Sequence, residues 1–462
     1  MQLMSDEGLR AAEEKMRAAA QPEEAIRNFR RSYERVESGE SAFLRTADLE
    51  PVSEVATLAE LPEVDPRAAL EAVAAIKLNG GLATTMGLRH PKSLVLAREG
   101  KSFLDIIIGQ ALALRKRFGV RLPLILMNSE STRKETMEAL ARYPELDVGL
   151  PLEFMQSMIP KLEAETLEPV SWPEQPSLEW CPPGHGDVYG ALRRSGVLAE
   201  LLEQGFRYAM ISNSDNLGAR VEPGIPAHMA SGRIPFLMEV VVGTEAERKG
   251  GHLARRRSDG QLVLRESAQI APEDEDSFRD YRRWRYYNTN NLWIDLRALS
   301  ETLERTHGVL ELSLIVNRKT VDPRDPSSPA VLQLESAMGA AVQSFSEARL
   351  VCVPRTRFVP VKTTNDLLVL RSDVYRITDG MVVEPVPERD GKLPFVDLDK
   401  RFYGVIDEFE SRFPAGAPSL VQAERLLVKG DVTFGAGVTV RGAVELTAEE
   451  PLRVEDGSVL GS

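Results

Sequence analysis

The sequence predicts an α/β fold built on a doubly wound sheet with a short β-helix-like tail, and three observations predict it. From about residue 70, β-rich apolar runs alternate with helical patterns, as they do when helices cover both faces of a mostly parallel sheet. Near the C-terminus the apolar period becomes six, with Val428, Phe434, Val440 and Leu446 in one series and Val432, Val438 and Val444 interleaved, a spacing that suggests β-helix coils. At 462 residues the chain is long enough for two or three domains, each burying its own core.

Taken in order, the elements begin with a helical lead-in over residues 1–60. Pro22 suits a first helical turn, Ile26, Phe29, Tyr33 and Val36 recur at helical spacing, and Gly39 suits the helix end. The sheet follows as AVAAIKL, RLPLILMNS, FRYAMISNS and IPFLMEVVVG, with the helical FLDIIIGQALALRKRF between the first two. Ligands in such sheets bind at the carboxyl ends of strands. The glycines after AVAAIKL, Asn128 with Ser129, and the S-N-S-D segment at 212–215 should therefore share one rim. The six-residue period then closes the chain, with room for about two coils before Ser462.

Composition narrows the function. A net charge of −13 argues against a general affinity for nucleic acid or anionic membrane, which call for a basic surface. The run R-D-Y-R-R-W-R-Y-Y at 279–287 alternates arginine with aromatics but reads as a solvated helix face ahead of a strand. Cys181 and Cys352 are the only cysteines, without the spacing of a disulfide framework or a zinc site, so a reducing cytoplasm fits. No apolar stretch has the length of a membrane span.

Chemistry concentrates in five segments. The first is I-K-L-N-G-G-L-A-T-T-M-G-L-R-H-P-K-S, Ile76 to Ser93, where glycines let backbone N–H groups approach an anion and Lys92 adds a formal charge. Its spacing matches neither the P-loop nor the dinucleotide fingerprint. By itself a Gly-Gly turn after a strand is only a turn, and Lys92 alone reads as a solvated loop lysine. The others are P-P-G-H-G-D-V-Y (182–189), I-S-N-S-D-N-L-G-A (211–219), Y-N-T-N-N-L-W (287–293) and P-V-K-T-T-N-D-L-L (360–368).

In this order the five segments resemble the eukaryotic-type UTP:glucose-1-phosphate uridylyltransferases, also called UDP-glucose pyrophosphorylases. The resemblance runs from about Leu78 to Tyr375 and continues more weakly beyond. It implies a Rossmann-like nucleotidyltransferase domain with a mixed sheet over 61–375, then a C-terminal domain over 376–462 ending in a short left-handed β-helix. The implied reaction is attack of the glucose-1-phosphate oxygen on the UTP α-phosphorus with loss of pyrophosphate. Positioning and charge neutralisation carry such a transfer. One well-placed lysine supplies about 4 kcal/mol at about 4 Å in a partly screened site, roughly a thousandfold in rate.

Residue roles follow from the same resemblance. Lys92, Lys362 and Asp215 form the catalytic set, with Asp215 holding Mg²⁺ against the triphosphate, as suits an ion that takes few protein carboxylates. Lys362 lies in R-F-V-P-V-K-T-T, which reads as a strand in which a lysine without an anionic partner would be costly to bury. Leu78, Asn79, Gly80, Gly81, Gln156, Gly184, Asn213 and Ser214 take the nucleotide. Gln156 offers the uracil edge both a donor and an acceptor. His185, Gly251, Glu266, Asn288 and Asn290 take the sugar phosphate, His185 in a binding role. Read from the residues alone, N-S-D-N is an ordinary turn, His185 a structural histidine, and Asn290 with Asn291 structural amides.

Two loop positions depart from the family's L-G-T-S-M-G-C-x-G-P-K-S: Ala83 and His90 stand where glycines are usual. The substrates implied are UTP and glucose-1-phosphate, with no nucleic acid and no membrane, in a monomer or small homo-oligomer. The alternatives are the same chemistry on a galactose or N-acetylhexosamine phosphate, or a nucleotide-sugar sensor without activity.

Overall fold

The computed structural model describes residues 2–39, 43–82, 86–88, 90–323 and 325–462. Ten strands form one mixed sheet: β1 Leu49–Pro51, β2 Val73–Asn79, β3 Leu124–Asn128, β4 Glu153–Met155, β5 Tyr208–Asn213, β6 Phe236–Val242, β7 His252–Arg256, β8 Leu262–Arg265, β9 Tyr286–Asp295 and β10 Arg349–Cys352. Along it the order is β1-β7-β9-β5-β2-β3-β4, with β6 between β9 and β10 and β8 beside β7. Strands β5, β2, β3 and β4 run parallel. β9 is antiparallel to both β5 and β6. The parallel character expected from the alternating pattern therefore holds for the β5-β2-β3-β4 block and for β6 with β10, while β9, β7, β8 and β1 are joined by antiparallel pairings.

Alternation along β2 divides the core. Val73 and Ala75 face α3 (Phe103–Phe118) and α4 (Glu130–Leu140), in one apolar cluster. Ala74, Ile76 and Leu78 face α5 (Val188–Arg194), α6 (Val197–Glu203) and α7 (Leu296–Arg305), in another. A strand buried on both faces reads as the near-continuous apolar run found in the sequence. Ser102 starts α3 by accepting the Asp105 N–H at 3.1 Å, and Gly119, at φ +66°, ends it in the left-handed conformation that glycine adopts without a Cβ clash.

The lead-in holds a helix at Glu23–Glu37 that buries Ile26, Phe29 and Tyr33 and follows Pro22, as the spacing predicts. Before residue 60 the chain also supplies β1 to the edge of the main sheet. The run at 279–287 is not a helix face: residues 281–283 form a turn, and Trp284 is fully buried, stacked on His252 with ring centroids 4.8 Å apart. Its alternation serves an aromatic core with arginines left at the surface. Toward the C-terminus the strands Phe395–Leu398, Ser419–Lys429, Thr439–Thr447 and Val459–Leu460 form a four-stranded parallel sheet, and Val432–Phe434 pairs in parallel with Leu452–Val454. The six-residue series points inward, with Val428, Val432, Phe434, Val438 and Val440 buried. No described helix is long and apolar enough to cross a membrane.

Candidate active site

Register brings the carboxyl ends of β2, β3, β4 and β5 level, with Asn79 beside Asn128, Asn128 beside Met155 and Asn213 beside Leu78. Because β9 runs the other way, its first residues reach the same rim, with Asn291 beside Ser212.

Beyond β2 the chain turns through Gly80 and Gly81. The Asn79 side chain lies beneath the turn, donating to Asn128 Oδ1 at 2.7 Å and Thr136 Oγ1 at 2.9 Å. Ser129 donates to the Gly80 carbonyl at 2.8 Å. On the return leg Leu82 bridges Pro91, and the Lys92 N–H reaches the Gly81 carbonyl at 3.4 Å. A Cβ on Gly80 would lie 2.5 Å from the Gln156 carboxamide, so these two residues of the nucleotide set are in direct contact. Ala83 lies outside the described residues. His90 is exposed and hydrogen-bonds through Nδ1 to Glu135 at 2.7 Å.

The Asp215 loop is anchored on both sides. Ser214 donates its N–H and its hydroxyl to the Leu78 carbonyl, at 3.2 and 2.8 Å. Asn216 accepts from the Gly218 and Val359 N–H groups and donates to Asn291 and the Arg357 carbonyl. The Val361 N–H donates to the Asp215 carbonyl at 3.1 Å, and a Cβ on Gly218 would come within 2.5 Å of the Thr356 carbonyl. The 356–361 segment is thus laid against the loop, with Lys362 one residue beyond the Val361–Asp215 bond. The Asp215 carboxylate itself meets Lys92 Nζ at 2.8 Å.

Lys362 is not in a strand and is not buried. Pro360 makes a single bridge to Asn216, and the Lys362 and Thr363 N–H groups both donate to Asp366 at 2.8 Å, opening helix Thr364–Arg371. A capping box outweighs the apolar flank that suggests a strand. The ammonium is exposed and forms no ion pair among the described residues. Burial raises the pKa of the Glu266 carboxyl, and the Lys362 charge opposes that rise.

Glu266, Gly251 and Asn288 come together. A Cβ on Gly251 would lie 2.6 Å from the Glu266 carboxylate, and the Gly251 carbonyl accepts the Asn288 N–H at 3.0 Å. Asn288 exchanges two 2.8 Å hydrogen bonds with Asn290. Asn290 takes φ +56° where the β6–β9 register shifts, a left-handed position that asparagine tolerates. Gly184, at φ +81°, packs where a Cβ would meet the Ser336 carbonyl at 2.4 Å. His185 accepts the Met338 N–H on Nδ1 at 2.9 Å, so the ring proton of the neutral imidazole sits on Nε2. Burial pushes this imidazole down to about 4, against the opposing charge of Asp215. Behind the turn, Asp187 accepts the Ser157 N–H at 2.7 Å and pairs with Arg194 at 2.7 Å.

Sequence reasoning missed what lies under the rim. Arg357 and Glu239, both fully buried, pair at 2.6 Å, and Trp293 and Asn291 donate to the same carboxylate at 2.9 and 3.1 Å. The signal was a lone carboxylate in FLMEVVV, a place where a charge is costly without partners. Lys77 in AVAAIKL is its counterpart. Burial and the Arg357 charge pull its amine down to about 7, opposed by Glu239 and Asp215. Met338 and Gly339, reached by His185 and Asn288, carried no signal beyond a cluster of small residues.

Among the described residues no three His, Cys, Asp or Glu side chains gather as a metal group. Asp215, paired with Lys92 at the rim, is a carboxylate of the kind Mg²⁺ accepts, an ion that takes most of its shell from water and phosphate oxygens.

A large mixed α/β sheet with a glycine turn and a lysine-paired aspartate at its strand ends is the architecture of a nucleotidyltransferase. The family model described as UTP–glucose-1-phosphate uridylyltransferase matches residues 26–441, and the chain belongs to that family. It is 38% identical to the UTP–glucose-1-phosphate uridylyltransferase of Hordeum vulgare, over 98% of this chain and 95% of that one. UDP-glucose phosphorylase from Trypanosoma brucei superposes with a TM-score of 0.92 at 42% identity, covering 98% of each chain. A single-residue mutant of Leishmania major UDP-glucose pyrophosphorylase, solved in complex with UDP-glucose, also gives 0.92 at 42% identity, again covering 98% of each.

Proposed function

We propose that this enzyme makes UDP-glucose and pyrophosphate from UTP and glucose-1-phosphate, and that the residues at the rim divide the work as follows. The sugar-phosphate oxygen forms a bond to the UTP α-phosphorus as the bond to the β-phosphate oxygen breaks, so charge shifts onto the departing pyrophosphate. Gln156, lying on Gly80, reads the uracil edge, while Gly184, Asn213 and Ser214 shape the nucleotide pocket. Glu266 and Asn288 hold sugar hydroxyls beside Gly251. His185 donates through Nε2 to a substrate oxygen. Lys92 and Lys362 neutralise phosphate charge from two sides, an effect that counts where it strengthens in the transition state. Asp215 would hold Mg²⁺, which when bound supplies charge neutralisation at the triphosphate.

One observation carries this reading: the Gly80–Gln156 contact, the Lys92–Asp215 pair and the Gly251–Glu266–Asn288 group stand on one sheet rim, with Lys362 joined to Asp215 through Val361. The test is pyrophosphate release from UTP and Mg²⁺ with glucose-1-phosphate, galactose-1-phosphate and N-acetylglucosamine-1-phosphate in turn. Release with glucose-1-phosphate alone supports the reading. Equal release with another sugar moves the substrate, and none at all, with UTP still binding, favours a sensor.

Domain bounds of 1–60, 61–375 and 376–462 belong to the same proposal, with the tail a short β-helix. In its support, Ser419 stands beside Thr439, Val432 beside Leu452 and Thr439 beside Val459, a step of 20 residues each time. A cytoplasmic setting and a monomer or small homo-oligomer complete it; Cys181 and Cys352 are both free thiols.

A further inference from the structure

The strand β2 is buried on both faces, yet it carries Lys77, only 4% exposed. A methionine would fill similar space without a charge to desolvate. The lysine's partners are neutral: Nζ donates to Ser212 Oγ at 2.8 Å and to the Ala219 carbonyl at 2.7 Å. Ser212 is its neighbour in register on β5, one residue before that strand ends. Ala219 lies beyond the turn. Between these two contacts runs the whole Asn213–Gly218 loop, so one side chain ties the loop's entry to its exit. Gln110 adds a bond to the Leu217 carbonyl at 3.1 Å. A cavity of about 20 Å³ lined by Lys77, Gln110, Ser212 and Arg220 has room for one water as a third acceptor for the amine.

We propose that Lys77 is a positioning residue for uridylyl transfer, clamping both ends of the 213–218 loop so that Asp215, and the Val361–Lys362 segment bonded to it, keep their places. Serine and alanine offer the clamp an acceptor each, and only a long side chain with several donors, rising from the adjacent strand, reaches both. The inference rests on the reading that Asp215 belongs to the active site.

Hydrogen–deuterium exchange over residues 211–221 tests the clamp, with kcat, KM and thermal melting measured on the same full-length proteins: wild type, Lys77→Met, Lys77→Arg, Ser212→Ala and Asp215→Asn. In Lys77→Met the loop is expected to exchange about tenfold faster while β3 and β9 exchange as in wild type. Its kcat should fall about tenfold or more with KM for glucose-1-phosphate nearly unchanged. Lys77→Arg should recover part of both, and Ser212→Ala should fall between. A folded Lys77→Met with wild-type loop exchange overturns the proposal, as does Lys77→Arg behaving no better than Lys77→Met. If Lys77→Met does not fold, Ser212→Ala decides by the same readings. An Asp215→Asn enzyme that keeps its kcat would sink the reading of Asp215, leaving the clamp to stand or fall on exchange alone.

Discussion

Lys92 Nζ and Asp215 Oδ2 lie 2.8 Å apart, joining two loops 123 residues distant in sequence. Both side chains are about one-fifth exposed, so the pair contributes about 1 kcal/mol or less to the fold. Under the proposed roles, the pair matters for ligands. Each group is the other's counter-charge, and a triphosphate that recruits Lys92 releases Asp215 for a cation. Nucleotide and metal should therefore bind with positive coupling. Titration calorimetry checks this: Mg²⁺ should tighten UTP binding about tenfold in wild type and much less in Lys92→Met, while turnover of that variant falls about a hundredfold or more. Equal coupling in both proteins would contradict the account.

Gly80 and Gly251 each leave room for a side chain of the proposed site. Gly80→Ala would place a Cβ 2.5 Å from Gln156, and Gly251→Ala would place one 2.6 Å from Glu266. Displacing a hydrogen-bonding side chain from its ligand costs about 1–3 kcal/mol. Gly80→Ala should therefore raise KM for UTP roughly tenfold, and Gly251→Ala that for glucose-1-phosphate, each leaving the other substrate nearly untouched. Steady-state kinetics with each substrate varied in turn would expose a common effect on both, which this division of roles forbids.

What can be read from the sequence follows from how local the cause is. The strands and the α3 helix are visible in apolar periodicity, and the turn after β2 in the Gly80–Gly81 pair, while Lys92 on its own reads as a loop lysine. Lys362 reads as a strand residue because its apolar flank draws attention from Thr363 and Asp366, whose capping box starts a helix. Trp284 reads as part of a solvated face because its stacking partner, His252, stands on β7, 32 residues earlier. Arg357 and Glu239 are 118 residues apart, and only folding makes them neighbours. The antiparallel pairings of β9, β7, β8 and β1 are hidden as well, since periodicity reports burial and not strand direction.

That buried pair gives a stability prediction. Arg357→Met would leave the Glu239 carboxylate, fully buried, with Asn291 and Trp293 as its donors among the described residues. Removing one partner of a buried ion pair costs about 3–5 kcal/mol, whereas replacing both with apolar groups is often near neutral. Urea unfolding should show that loss in Arg357→Met and recover much of it in Glu239→Leu/Arg357→Met. A single variant as stable as wild type would contradict the role given to the pair.

Acid should weaken the fold through His252. Its ring is fully buried between Trp284 and Phe278, and burial, helped by the Arg265 charge, pulls it from 6.5 down to about 3. The unfolded chain takes up this proton near 6.5 while the folded one refuses it, so stability is fully present above that pH and is lost as pH falls toward the folded value. The full contribution is on the order of 5 kcal/mol, of which about 3 kcal/mol is lost between pH 7 and 4. Denaturation midpoints between about pH 7 and 4 should decline less steeply in His252→Phe than in wild type; parallel curves would contradict this.

The most direct measurement of the central claim is phosphorus NMR of a mixture of UTP, glucose-1-phosphate and Mg²⁺ with wild type, Asp215→Asn and Lys362→Ala. The account predicts UDP-glucose and pyrophosphate growing in equal amounts with wild type, slowed about a hundredfold or more in both variants. UMP and pyrophosphate appearing without UDP-glucose, or both variants matching wild type, would contradict it.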